Sequence, residues 1–397
     1  MNSYKIFERA TVDLLPAEEL RLRLREKKSL RIKYGIDPTA GNLHLGHLVF
    51  LRRLKMLQDC GHQIICIIGD FTALIGDPSE RDITRPVLPE TSVIKNSRHC
   101  CQQILRILEP AKTEIRYNSS WFHEMKGREI LDLTSQATVA RMLERDDFAR
   151  RFQTNQSISI HEFIYPLLQG YDSVMVQADV EFGGSDQKFN LLMGRHLQKI
   201  YGEKQQIIIT LPLIEGLDGQ RKMSKSYGNT IDLNAPPNEI YGKIMSLNDD
   251  LIWKYLTMLS SFSSDEIAKR RCQVETKNLN PMEVKLELAQ DIVATLHSDD
   301  DAKKSALYFN EVVREKRVPK DLEKVKFKIL TESIEIRELL KELGLVKSLS
   351  AAGRLIDQGA ILVNNQRLSE KSLLLFPNQN YLIRCGKKHL FRLELIT

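Results

Sequence analysis

The chain has 397 residues, a formal net charge of +6, 42% hydrophobic and 28% charged residues; these are the proportions of a globular protein, not a disordered one, and no run approaches the roughly 18 apolar residues of a membrane span. At this length a single core stops growing, so two or three domains are expected. Residues 302–397 hold 19 Lys and Arg against 11 Asp and Glu, which suggests a polyanion-binding module on a nearly neutral body, although a solvated lysine-rich surface gives the same count.

Residues 1–14 alternate charged and apolar side chains without the basic-then-apolar order of a secretory signal, so a cytoplasmic location is expected. The cysteines at 60, 66, 100, 101, 272 and 385 form no C-x-x-C pair and no zinc-knuckle or disulfide spacing, which predicts free, mostly buried thiols. From residue 30 to 212 short apolar runs alternate with amphipathic stretches, the pattern of an α/β fold with a Rossmann-like parallel sheet and crossover helices. Strands are predicted at 30–36, 63–69, 114–117, 180–182 and 206–211, and helices at 44–60 and 187–201, closed by Gly61 and Gly202. After the loop 217–229 the strands stop, and 237–316 reads as helices with polar breaks. The basic stretch 317–328, with Pro319, reads as a linker. A small α+β domain follows: a helix at 334–343 ending at Gly344, a second helix capped by Ser348 or Ser350 and ending at Gly359, a strand at 360–363, an Asn364-Asn365 turn, and two strand-like runs separated by Gly386-Lys387. The expected divisions are 1–232, 233–328 and 329–397.

The first chemistry-bearing segment is Asp37-Pro38-Thr39-Ala40-Gly41-Asn42-Leu43-His44-Leu45-Gly46-His47, where a predicted strand ends and a helix begins. Such a junction aims unpaired N–H groups above the sheet edge and favours phosphate there. His44 and His47, one helical turn apart, would face the same anion, and Gly46 would let a base or ribose approach the backbone. Two histidines so spaced also serve as caps, packing residues or metal ligands; no Cys or Glu at a matching position completes a metal set, so no protein-bound metal is expected. The second segment, Lys222-Met223-Ser224-Lys225-Ser226, lies among Gly216, Asp218, Gly219 and Gly228. Two lysines three apart in a glycine-flanked loop can close over a triphosphate as charge moves onto pyrophosphate; alone, such a loop is equally a solvated basic surface.

In this order, the H-x-G-H and K-M-S-K-S segments resemble the two signatures of the class I aminoacyl-tRNA synthetases. The resemblance implies an amino-acid carboxylate attacking the α-phosphorus of ATP in line, with pyrophosphate leaving and no covalent enzyme intermediate, so that positioning and charge stabilisation do the work. It implies ATP as a substrate with Mg2+, catalytic roles for His44, His47, Lys222 and Lys225, and a nucleotide surrounded by Asp37, Gly46, His47, Gly184, Asp186, Met223 and Lys225.

In the segment His161-Glu162-Phe163-Ile164-Tyr165-Pro166-Leu167-Leu168-Gln169-Gly170-Tyr171-Asp172, the residues Tyr165, Gln169 and Asp172 share one helical face. A buried Asp can accept from a phenol while Tyr165 and Gln169 hold an amino group; rejection through a hydroxyl that must be satisfied is the strong kind, and tyrosyl enzymes are its standard illustration. The match to the tyrosyl branch runs over essentially the whole chain. It implies that Asp77 meets the substrate ammonium, that Gly183-Gly184-Ser185-Asp186-Gln187 lies around ribose and substrate, that Arg81 and Arg85 bring cations to the leaving pyrophosphate, and that the Thr39 hydroxyl assists. Through two departures the chain resembles a second bacterial subgroup of that branch: Lys33 followed by Tyr34 stands where a tyrosine meets the substrate hydroxyl, and Phe50 replaces a small polar residue beside the adenosine. Lys33 would then donate to the phenol oxygen, or be a solvated strand-end lysine.

The segment Ser350-Ala351-Ala352-Gly353-Arg354-Leu355-Ile356-Asp357-Gln358-Gly359-Ala360-Ile361-Leu362-Val363-Asn364 resembles the small RNA-binding fold named for a ribosomal small-subunit protein, and Lys347 and Arg354 can meet phosphates without reading bases. The resemblance implies tRNA(Tyr), L-tyrosine and ATP as partners, a homodimer, the helical region beside the anticodon arm, and neither DNA nor membrane. A tryptophanyl enzyme commonly lacks this tail and the Tyr165, Gln169, Asp172 arrangement. A nucleotidyltransferase or an inactive RNA-binding paralogue would not need the intact Lys222 to Ser226 loop.

Overall fold

The computed structural model describes residues 3–27, 29–79, 88–314, 324–329, 331–386 and 389–396. Arg81 and Arg85 lie outside the described residues. The chain forms two compact units, Met1–Ser305 and Ala306–Thr397. Within the first unit the Ile252–Leu259 helix packs on Leu45–Asp59, and Pro281–Leu296 packs on Glu90–Ile107.

The first unit is built on six strands: β1 (Asp13–Leu15), β2 (Arg31–Ile36), β3 (Gln63–Ile68), β4 (Thr113–Tyr117), β5 (Val180–Gly184) and β6 (Ile207–Leu211), in the order β1-β6-β5-β2-β3-β4. All pairings are parallel except β1 with β6. Each of the five parallel strands overlaps a predicted one; β3, β5 and β6, buried along nearly their whole length, were legible as apolar runs because both of their faces are covered. The three-residue edge strand β1 was not, since so short a stretch of Asp-Leu-Leu carries no periodicity.

From β2 the chain crosses outward to β3 and β4, then returns to lay β5 on the other side of β2. The β2/β5 boundary is thus the switch point of the sheet, where a crevice opens beyond the carboxyl ends of the strands. The Ile160–Met175 and Lys188–Ile200 helices pack closely there: a Cβ on Gly170 would stand 3.0 Å from both the Gly194 nitrogen and Leu197 Cδ1.

In the second unit, β7 (Lys324–Lys328), β9 (Ile361–Val363), β10 (Gln366–Arg367), β12 (Asn380–Cys385) and β13 (His389–Ile396) form a five-stranded sheet, and β8 (Ile334–Glu335) pairs with β11 (Leu374–Leu375). The helices Ile336–Glu342 and Leu349–Asp357 bury Ile336, Leu339, Leu340, Ala352 and Ile356 with Ile361, Ile383, Leu393 and Leu395. Ser348 is the cap of the second helix, accepting from the Ala351 N–H at 3.2 Å. Asn364 and Asn365 both take positive φ, 51° and 64°, as a type I′ hairpin turn requires. One expectation is corrected: the end of the stretch read as a linker is strand β7, parallel to β13. Its Lys-Val-Lys-Phe-Lys alternation turns Val325 and Phe327 onto the core and leaves the lysines outward, and the basic composition hid that period.

All six cysteines are free; Cys66, Cys100 and Cys385 are buried, and Cys272 is exposed.

Candidate active site

A cavity of about 660 Å³ opens at the switch point. Its walls come from the ends of β2 and β5, the start of the Leu45–Asp59 helix, the Ile160–Met175 helix and the loop after β6. It brings together Lys33, Tyr34, Asp37, Thr39, His44 and Gly46 from the first sequence segment and its approach, with His47 and Phe50 one and two turns on. From further along the chain come Asp77, then Tyr165, Gln169 and Asp172, then Gly184, Asp186 and Gln187, and finally Lys222, Met223 and Ser224. Lys225 stands beside the cavity rather than in its wall, and its charge helps hold the imidazoles of His44 and His47 unprotonated.

The two histidines do cap their helix. His44 Nδ1 accepts from the Gly46 N–H and His47 Nδ1 accepts from the His44 N–H, both at 3.2 Å, a capping box built from imidazoles. An accepting Nδ1 leaves the proton on Nε2, so each ring is a neutral donor. Burial pushes His44 down to about 2 and His47 to about 4, and the rings lie 4.1 Å apart, too close to share charge. Gly46 has a local reason to lack a side chain: a Cβ there would stand 2.9 Å from the His44 ring.

Asp37 sits where β2 ends. Tyr165 donates to its Oδ2 at 2.9 Å and Thr72 to its Oδ1 at 2.8 Å, so Tyr165 is tied to the strand end rather than left open. A Cβ on Gly69 would collide with the Asp37 and Thr72 oxygens, which is why that bridge needs glycine. Asp77, Gln187, Asn190 and Gln169 form a chain: Gln187 donates to Asp77 at 2.7 Å, and Asn190 donates to Gln187 at 2.9 Å and to Gln169 at 3.0 Å.

Asp172 is buried, and each carboxylate oxygen has one donor, Trp121 Nε1 at 3.1 Å and Asn118 Nδ2 at 3.3 Å. Burial raises its carboxyl to about 7, against the opposing pull of Lys33, Asn118 and Trp121. Lys33 is not solvated: it is fully buried, 2.9 Å from Glu181.

Lys222 pairs with Asp186 at 3.1 Å. The loop that carries it is held by Asn229, buried, whose Oδ1 accepts from the Ser224 N–H at 2.9 Å while its Nδ2 donates to Asp218, Arg221 and Lys222. Immediately beyond, Leu45 donates to the Ile231 carbonyl at 3.0 Å and Leu233 to that of Leu43 at 2.9 Å. The lysine loop and the histidine helix are therefore laced together through 231–233.

Residues 25–314 match the family of tRNA synthetases class I (W and Y), and residues 338–377 match the S4 domain. The chain is 47% identical to the tyrosine–tRNA ligase of Francisella tularensis, over 97% of this chain and 96% of that one, and 44% identical to the tyrosine–tRNA ligase of Thermotoga maritima, over 98% and 96%. The chain belongs to the class I tyrosine–tRNA ligase family. Solved structures share the fold: a truncated mitochondrial tyrosyl-tRNA synthetase of Aspergillus nidulans has a TM-score of 0.66 at 22% identity, covering 78% of this chain and 94% of that one. The tyrosyl-tRNA synthetase of Archaeoglobus fulgidus, complexed with L-tyrosine, has a TM-score of 0.61 at 21% identity, covering 77% and 98%.

Within this class I frame, sequence reasoning missed Asn118, Trp121, Thr72, Asn190, Glu181 and Asn229. Asn118 and Trp121 meet Asp172 from more than 50 positions away, with no motif to announce them. Asn229, just after Gly228 in the lysine loop, was within reach of motif reasoning as a turn-fixing amide. Lys347 and Arg354 lie in the second unit, both exposed, within the span that matches the S4 domain. Among the described residues no group of three or more His, Cys, Asp or Glu could hold a metal ion, and no helix is long and apolar enough to cross a membrane.

Proposed function

We propose that the chain activates L-tyrosine with magnesium-ATP and then transfers tyrosine to the 3′-terminal adenosine of tRNA(Tyr). One observation carries the assignment of roles: a single cavity joins a buried carboxylate, Asp172, to a helix N-terminus bearing two neutral imidazoles and to the Lys222–Ser226 loop. The phenol donates to Asp172, and the ammonium meets Asp77 with Gln169 and Gln187. The tyrosine carboxylate oxygen attacks the α-phosphorus, the bond to the β-phosphate breaks, and pyrophosphate leaves with magnesium. His44 and His47 donate Nε2 protons to phosphate oxygens, Thr39, Lys222, Lys225, Arg81 and Arg85 receive the growing charge, and Gly184 and Asp186 hold the ribose. In the second step a hydroxyl of the tRNA's terminal adenosine attacks the activated carbonyl and AMP leaves. Magnesium enters as part of the nucleotide substrate.

Lys347 and Arg354 contact tRNA phosphates. Two copies of the chain assemble, an arrangement favoured by the exposed apolar side chains Leu131, Val139, Phe152 and Ile160 of the first unit, and the enzyme works in the cytoplasm. The test is pyrophosphate exchange with magnesium-ATP across a panel of amino acids. L-tyrosine should support it, and faster exchange with tryptophan overturns the reading.

A further inference from the structure

Buried ion pairs are costly to assemble and stabilise a fold little relative to apolar packing, so one placed beside a substrate cavity calls for another account. Lys33 is such a case. It lines the cavity yet is fully buried, and its ammonium has three partners: Glu181 Oε1 at 2.9 Å, Ser173 Oγ at 2.7 Å and the Gln169 carbonyl at 2.9 Å. An ammonium has three protons, so in this arrangement none remains for a substrate phenol. Glu181 is equally engaged, accepting from Ser173 Oγ at 3.1 Å and from Gln206 Nε2. A Cβ on Gly194 would stand 2.6 Å from Gln206 Nε2 and 2.8 Å from Ser173 Oγ, so the helix backbone closes directly over the network.

We infer that Lys33, paired with Glu181, is a positioning residue for specificity: its charge favours the ionised form of Asp172, and it does not touch the phenol itself. The inference rests on the proposed role of Asp172 as the phenol's partner. Ser173, which bonds both members of the pair, is the immediate neighbour of Asp172 in the chain. The charged and titratable groups facing Asp172 are Lys33 from β2, Glu181 from β5 and Tyr165 from its own helix; the segment after β4 contributes the neutral donors Asn118 and Trp121, and Arg116 stacks on the Trp121 ring. Lys33 opposes the effect of burial on Asp172, and Glu181 adds to it.

An ionised Asp172 rejects phenylalanine because a desolvated carboxylate is left against a phenyl ring; a protonated one rejects it less. The ratio of kcat/KM for tyrosine over phenylalanine should therefore rise with pH through the titration of Asp172. In Lys33→Met the rise should move to higher pH by about one unit or more, and in Glu181→Gln to lower pH. The double variant leaves no orphaned charge, and its profile should lie above the parent's but below that of Lys33→Met. Opposite shifts are something a packing defect does not produce. The carboxyl infrared band of Asp172, identified by its loss in Asp172→Asn, should follow the same three shifts without substrate. If tyrosine supports no exchange, the proposed function falls while the infrared titration still decides the electrostatic claim. Single variants that shift the same way, or a double variant with the parent profile, overturn it.

Discussion

His44 and His47 each give one ring nitrogen to the fold and leave the other to the cavity. Each uses Nδ1 to close the helix start, and each is thereby committed to a neutral, Nε2-protonated form. The linkage has a definite sign. Both folded values, about 2 and about 4, lie below the ordinary 6.5, so the unfolded chain takes up protons that the native protein refuses, and stability is lost as pH falls below 6.5. Because both rings are partly open to the cavity, the loss by pH 4 should be ~1–2 kcal/mol in total. Asp172 works in the opposite sense, its raised value making folding less favourable as pH climbs towards 7. Comparison with His44→Asn isolates the histidine contribution: that variant keeps a capping oxygen but cannot titrate, so its urea-unfolding stability should fall less steeply between pH 6.5 and 4. An unchanged slope would show that the ring does not stay neutral in the folded state. The histidines were legible as caps because they stand where a predicted strand gives way to a helix. The state of Lys33 was not, because Ser173 lies 140 positions away and neither of the two readings open to a strand-end lysine included a buried counter-ion.

At the scale of elements, the lysine loop owes its shape to one amide. Asn229 makes four hydrogen bonds into the loop from a buried position, and a Cβ on Gly216 would collide with its side chain. Asn229→Ala leaves three backbone groups and the Asp218 carboxylate without this partner, at a cost of roughly 1–3 kcal/mol to the loop. The activation rate constant should drop by roughly tenfold or more while ground-state tyrosine binding changes little. Stopped-flow measurement of adenylate formation, alongside calorimetric tyrosine affinity, checks this; equal losses in both would mean that the loop also shapes the amino-acid pocket. The parallel strands of the sheet were readable from their apolar runs, whereas β1 and β7 escaped, one through brevity and the other through lysines on its outward face. The cavity could be anticipated from the junction after β2, but the partners of Asp172 could not, since Asn118 and Trp121 carry no spacing that links them to it.

For the whole molecule, the division at Ser305 and Ala306 separates a unit that holds the complete cavity from one that matches the S4 domain. A chain ending at residue 305 keeps its own core and should retain tyrosine-dependent pyrophosphate exchange within about twofold, while tRNA charging should fall by about a hundredfold or more with the loss of the proposed phosphate contacts of the second unit. Measuring both activities on one preparation decides it, because parallel losses would mark the second unit as structural. The strand order has a further consequence, for biosynthesis. β2 is complete at Ile36, but β5, which covers one of its edges, begins only at Val180, and Asp13 of β1 waits for Thr210. A nascent chain emerging from the ribosome must therefore carry an open strand edge through nearly half of the first unit's synthesis. Fragments that stop near residue 175 should aggregate or bind chaperones, and fragments that reach 305 should not.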